Sequence, residues 1–272
     1  MTIKSFLLDK SFFIGTNEKQ LCDFVSTHTV ILPETLFYEC YTSNELSDKN
    51  FLKRLYRLLK AGAYVTYQLT QIMADEGKNL SPCTCIIDYS ETNSLRLTGF
   101  REERTIGKEG IDEKKKDRSK MAISIKKLAS KIAQKLTNNL DRLKEIRSLK
   151  LNTKERSKEW IEEADKSDIH DLASAYLCKY VIDPTKFCLS TDWVSWHYMR
   201  LIYAIALEYS YLEITGSCPK DERAEHDLMD IEYLTFLARS DNLLTCDNKL
   251  QYLAEVALSN KKFFSKVQDI DG

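Results

Sequence analysis

Two short apolar runs of the chain end in an acid: Leu7-Leu8-Asp9, and Leu243-Leu244-Thr245-Cys246-Asp247. A third run, Thr29–Leu32, leads into a segment that carries Glu39, and Asp227 and Asp230 precede the last run. Residues three apart are neighbours on a helix, so Asp227 and Asp230 share a face. Carboxylates gathered within a few ångströms repel one another, and one must take up a proton unless a cation neutralises the group. Hard divalent ions with oxygen ligands resolve that conflict, and Mg²⁺ or Mn²⁺ suits an all-carboxylate site with room for water and phosphate oxygens. Such ions acidify a water and neutralise charge on a transferring phosphoryl group. The chemistry indicated is phosphodiester hydrolysis.

The elements that must position these acids follow from periodicity. Lys4–Leu8 and Thr29–Leu32 have strand length and composition, and Thr16 and Asn17 cap a helix between them that carries Leu21, Phe24 and Val25. Pro33 opens a helix with Leu36, Phe37 and Cys40 on one side. Residues 50–76 read as one or two amphipathic helices broken near Gly62, and Cys85–Asp88 as a further short strand. Towards the end, Glu225–Arg239 and Leu250–Leu258 are helical, with strands at Asn242–Thr245 and Lys262–Val267. Strands alternating with helices imply a parallel sheet, whose ligands bind outside the carboxyl ends of its strands. Asp9 and Asp247 belong to that edge, and Glu39 and Asp227 reach it from adjoining helices.

The middle of the chain differs. Residues 108–158 hold 17 basic against 7 acidic side chains, a net of +10, while residues 159–272 carry 11 against 21, a net of −10. From Met121 the apolar positions are Ile125, Leu128, Ile132, Leu136, Leu140, Leu143 and Ile146, so seven steps span 25 residues at helical spacing. The other faces carry Lys126, Lys127, Lys131, Lys135, Arg142, Lys144 and Arg147, and Glu113–Lys120 reads as a polar link. Further helices are expected over Glu159–Val181 and Asp192–Glu213. A basic block of this size is either a polyanion footprint or a solvated helix face.

At 272 residues the chain has material for one elaborated domain or two small ones, and 43% hydrophobic with 30% charged side chains excludes disordered and collagen-like classes. No apolar run approaches the ~18 residues of a membrane span, so no membrane partner is expected. The first residues lack the apolar core of a signal peptide, and the eight cysteines are expected to be reduced; a cytoplasmic setting follows. Cys83-Thr-Cys85 lacks the paired ligands of a tetrahedral zinc site, and Trp193, Trp196 and His197 read as core at helical spacing.

Taken in order, Phe6-Leu-Leu-Asp-Lys-Ser-Phe-Phe-Ile, Val30-Ile-Leu-Pro-Glu-Thr-Leu-Phe-Tyr-Glu-Cys, His226-Asp-Leu-Met-Asp-Ile-Glu-Tyr-Leu and Asp241-Asn-Leu-Leu-Thr-Cys-Asp-Asn-Lys-Leu resemble the motifs of the PIN-domain nuclease family. The resemblance covers about residues 3–45 and 222–268. It implies a three-layer α/β/α PIN-like domain with a central parallel sheet of about five strands, formed by residues 1–100 and 215–272. Residues 101–214 are then a mostly helical insertion with a basic long helix. By motif, Asp9, Glu39, Asp227 and Asp247 match the family's catalytic acids. Those four with Asp230 would hold the metal, while Ser11 and Thr245 would be supporting contacts to the site and substrate. The activity implied is Mg²⁺- or Mn²⁺-dependent endoribonuclease action on single-stranded or structured RNA. Lys126, Lys127, Lys131 and Lys135 would hold the phosphate backbone. An antitoxin-like protein inhibitor and a second copy of the chain are further partners to expect.

Each acid also has a plainer reading. Asp9 can cap the helix that follows it, Glu39 can be a solvated helix residue, and Asp227 with Asp230 can complement a helix dipole. A phosphatase with an Asp nucleophile needs a second Asp two residues on, where this chain has Ser11. The alternative of another class is a non-catalytic PIN-like interaction protein whose basic helical insertion binds RNA or a protein partner.

Overall fold

The computed structural model describes residues 4–42, 49–98, 108–137, 153–166, 189–217 and 220–270. Its centre is a parallel sheet of five strands: β1 (Ser5–Leu8), β2 (Thr29–Leu32), β3 (Tyr64–Val65), β4 (Asn242–Leu244) and β5 (Lys262–Phe264). They are ordered β3-β2-β1-β4-β5. Leu7 lies opposite Ile31 on one side and Leu243 on the other. Central parallel strands are covered on both faces, which is why β1, β2 and β4 are unbroken apolar runs and Phe6, Leu7 and Leu8 are buried.

The short helix α1 (Lys10–Gly15) and α2 (Glu18–Thr27), capped by Asn17, carry the chain from β1 to β2. Then α3 (Glu34–Thr42) and α4 (Lys49–Ala61) lead to β3. The chain thus runs outward through β2 and β3 before its last third places β4 on the opposite side of β1. After β4, α11 (Asn248–Ala257) returns it to β5. The direction of strand addition reverses between β1 and β4, which makes their carboxyl ends the switch point where ligands of open α/β sheets bind.

Two strand expectations are corrected. Residues 64–65 form β3 rather than continuing a helix, and Cys85–Asp88 supplies only an isolated antiparallel bridge between Thr66 and Ile87. The outer edge of β3 is closed within two residues. The Thr92 hydroxyl accepts from the Val65 amide at 3.0 Å, and the Asp88 amide donates to the Val65 carbonyl at 2.9 Å. Residues 86–88 are themselves what pairs with that edge, the Tyr67 amide also donating to the Ile86 carbonyl at 2.9 Å, and the pairing stops there because the chain turns into a helix at Tyr89.

The remaining helices are α5 (Leu69–Asn79), α6 (Tyr89–Thr98), α7 (Lys108–Thr137), α8 (Thr153–Lys166), α9 (Val194–Ile214) and α10 (Asp221–Leu237). The stretch Glu113–Lys120, expected as a polar link, is part of α7. It is held because Lys114 pairs with Glu34 and Arg118 pairs with Glu232 while its guanidinium lies 3.6 Å from the centre of the Tyr38 ring. Farther along α7, Ala122, Ile125, Ala129 and Ala133 form the buried face. Small side chains at that spacing let α7 lie close to α9, which is buried nearly all round. Arg156 and Trp160 of α8 both bond Glu208 of α9, with the indole at 2.8 Å. The sheet and helices α7 to α9 contribute to one apolar core. The expected helical stretches over 138–152 and 167–181, with Arg142, Lys144 and Arg147, lie outside the described residues. Among the described residues no helix is long and apolar enough to cross a membrane.

Candidate active site at the carboxyl edge of the sheet

Asp9 is the first residue beyond β1, and its amide donates to the Leu244 carbonyl at 3.0 Å, so the ends of β1 and β4 are joined at the acid itself. The side chain caps α1, and its Oδ2 accepts from the Ser11 amide at 3.1 Å, from the Ser11 hydroxyl, and from Thr245 Oγ1 at 2.8 Å. Both hydroxyls are themselves held. Ser11 Oγ accepts from the Cys246 amide at 2.8 Å, and Thr245 Oγ1 accepts from the Asp247 amide at 3.0 Å. Burial raises the Asp9 carboxyl above its ordinary range, and the Ser11 and Thr245 hydrogen bonds oppose that rise. Ser11 and Thr245 therefore act on the acid, fixing one oxygen of Asp9.

Glu39 reaches the same edge from α3. Its Oε2 accepts from the Tyr233 hydroxyl at 2.7 Å, while Lys10 Nζ stands 3.8 Å from Oε1. Burial pushes the Glu39 carboxyl up to about 7, helped by the charges of Asp9 and Asp230 and opposed by Tyr233 and Lys10. The Tyr233 bond ties Glu39 to α10, the helix that carries Asp227 and Asp230.

Asp227 and Asp230 sit one turn apart on α10, and a cation lies between them. Lys249 Nζ is 2.7 Å from Asp227 Oδ1 and 2.6 Å from Asp230 Oδ2. The Tyr209 hydroxyl donates to Asp227 Oδ2 at 2.7 Å, with Arg223 at 3.7 Å from the same oxygen. Asp230 is raised to about 6 by burial and by the charges of Asp227 and Asp247, against the pull of Lys249. Burial works against the Lys249 ammonium, but Asp230 and Asp227 outweigh it and hold the group up at about 12. Asp247 is exposed and caps α11, accepting from the amides of Lys249 at 2.7 Å and Leu250 at 3.1 Å.

The five sequence-predicted acids thus collect at the switch point as two linked halves, Asp9 with Glu39 and Asp227 with Asp230, with Asp247 at the rim. Among the described residues no three His, Cys, Asp or Glu side chains form a ready-made metal cage. Tyr233, Lys249 and the two hydroxyls hold the acids in separate pairs. The donors are nevertheless all carboxylate oxygens, with hydroxyls behind them, and that set fits a hard ion such as Mg²⁺ or Mn²⁺. Asp9, Glu39 and the rim acid Asp247 are free of a lysine ammonium at hydrogen-bond distance, and of these the buried Asp9 and Glu39 would hold it.

A cleft of about 530 Å³ opens beside Glu39, with Lys10, Lys115, Arg118 and His226 in its lining. The basic residues expected to contact substrate are farther along α7. Lys126 pairs with Asp221, Lys127 and Lys131 are exposed, and Lys135 lies on the helix with its side chain outside the description. Sequence reasoning missed Lys249, Tyr209 and Tyr233. Tyr233 was open to discovery, because it follows Asp230 by three residues and therefore shares its side of α10. Lys249 stood inside a quoted motif, but nothing in its spacing says that it reaches back to α10. Against protein-family models, curated proteins and solved structures the chain finds no match, so the reading of this edge rests on its own geometry.

Proposed function

We propose that the chain is a divalent-metal-dependent nuclease that hydrolyses RNA phosphodiester bonds, with Asp9 and Glu39 at the centre of the site. The observation that carries this reading is placement: Asp9 is tied by its amide to the end of β4, with Glu39 held by Tyr233 of α10 and the Asp227–Asp230 pair on that same helix. The ordered succession of the four acid-bearing stretches supports the likeness to PIN-domain nucleases. A bound Mg²⁺ or Mn²⁺ supplies an acidified water and neutralises charge on the phosphoryl group. Asp9 presents its carboxylate in a fixed orientation because two hydroxyls and an amide grip one oxygen. Burial holds the Glu39 carboxyl up at about 7, so the site is expected to take its ion more tightly as pH rises and that carboxyl ionises. The substrate phosphates enter along the cleft beside Glu39, where Lys115 is exposed and Lys10 stands at the Glu39 end, with Glu222 and Glu225 also in the lining. Free thiols at Cys22, Cys40, Cys83, Cys85 and Cys246 suit a reducing, cytoplasmic setting.

The test is cleavage of labelled single-stranded RNA and DNA with Mg²⁺, Mn²⁺ or EDTA. Asp9→Asn and Glu39→Gln are expected to lower RNA cleavage by at least ~100-fold, the rate equivalent of the several kcal/mol that metal-assisted hydrolysis contributes. Metal-independent cleavage, or variants as active as the native chain, would sink the reading. A second reading has one observation in its favour: Lys249, Tyr233, Ser11 and Thr245 satisfy every acid pair from within the chain. An interaction protein built this way gains no thermal stability from Mn²⁺, whereas a metal site does.

A further inference from the structure

The two halves of the acidic edge differ in what neutralises them. At the Asp9 and Glu39 half, the nearest ammonium, Lys10, stays 3.8 Å from Glu39. At the Asp227 and Asp230 half, Lys249 bonds both carboxylates at 2.7 and 2.6 Å. That ammonium stands where a cation bridging the two aspartates would stand, and a divalent ion beside it would be repelled at close range. Lys249 is also delivered there by construction. Its backbone amide donates to the Asp247 carboxylate at the start of α11, and from that first turn its side chain reaches both aspartates of α10. The Asp227 side is further braced by the Tyr209 hydroxyl, so the pair is aligned for one cation.

We propose that Lys249 is a tethered stand-in for a second metal ion: the site takes one divalent ion, at Asp9 and Glu39, and the Lys249 ammonium occupies the cation position of Asp227 and Asp230. The inference rests on the metal-dependent reading above and fixes its stoichiometry. Lys249 is then a positioning residue that supplies the positive charge of an acidic half without a dissociable ion. Removing its charge vacates that half and leaves Asp227 and Asp230 able to bridge an added ion.

The test is direct titration of the folded full chain with Mn²⁺, counting bound ions by calorimetry and by loss of the free-ion paramagnetic signal. Glu39→Gln is run beside Lys249→Gln to separate the two halves, and Lys249→Arg keeps the charge. Thermal melting establishes that each variant is folded. The expected result is one ion for the native chain, two for Lys249→Gln and one for Lys249→Arg. In Lys249→Gln, the added Glu39→Gln exchange should remove one ion and leave the other. Two ions on the native chain, or an unchanged count in Lys249→Gln, would overturn the stand-in. No ion on the native chain with one on Lys249→Gln would keep the stand-in and refute the metal site at Asp9 and Glu39. No ion on any variant would refute both.

Discussion

Burial sets the protonation of the acidic edge. Glu39 is held at about 7 against an ordinary 4.5, and Asp230 at about 6 against 3.8, so the folded chain binds these protons more tightly than the unfolded chain. The stability this contributes is complete below the unfolded values and is lost as pH rises through about 6 and then about 7. In EDTA the melting temperature is therefore expected to fall between about pH 5 and pH 7.5. Mn²⁺ is expected to restore it at the upper end, because the ion needs ionised carboxylates. A melting temperature that is flat or rises over that range without metal would contradict the burial argument. Tyr233→Phe removes the hydrogen bond that favours ionised Glu39, so in that variant the fall should extend to higher pH. The acids themselves were legible in the sequence, because Asp9 and Asp247 end apolar strands and Asp227 and Asp230 share a helix face. Their partners were not. Which lysine or tyrosine reaches a carboxylate depends on how α10, α11 and α3 are set against one another, and spacing along the chain does not encode that.

Between elements, the polar ties are as specific as the apolar packing. Glu76 of α5 is buried and accepts from the amides of Val194 at 2.9 Å and Ser195 at 2.8 Å, the unpaired first donors of α9, and from the Cys83 amide at 2.9 Å. Glu76→Gln keeps the shape, loses the charge and, with its oxygen kept for the Val194 and Cys83 amides, presents a donor where the Ser195 amide already donates. It should cost about 1–3 kcal/mol in urea unfolding. Ala129→Leu on the α7 face against α9 overfills a close approach of two helices and should cost about 1–3 kcal/mol by the same measurement. A loss below about 0.5 kcal/mol in either variant would show that the packing there yields easily. The helical period of α7 was legible from Met121 onward, but the apolar stripe pointed to isoleucine and leucine, whereas three alanines share the buried face. Alanine carries little hydrophobic signal, yet its small size is what sets the distance between helices. Tyr64-Val65 escaped for a related reason, since a two-residue strand is shorter than any period that could announce it.

Across the whole molecule, the +10 and −10 segments of the sequence are partly complements of each other. Lys126 pairs with Asp221, Arg118 with Glu232 and Arg156 with Glu208, so part of the basic block faces protein, while Lys115, Lys116 and Lys120 are exposed. Lys127 and Lys131 remain exposed on α7 for a polyanion. Exchanging both for Glu should weaken RNA binding and lower the slope of log affinity against log salt by about one for each phosphate no longer neutralised. It should leave Mn²⁺ binding unchanged; an unchanged slope would place the RNA elsewhere. The sheet order has a consequence for how the protein is made. β1 ends at Leu8 but its neighbour β4 begins only at Asn242, so β1 is made long before the strand that covers it. Until then, one side of the central strand is an open apolar edge, an invitation to pair with another chain. Asp9 also lacks Thr245 throughout that interval. A nascent chain on the ribosome is therefore open to aberrant pairing until β4 emerges, and its acidic edge is assembled only then.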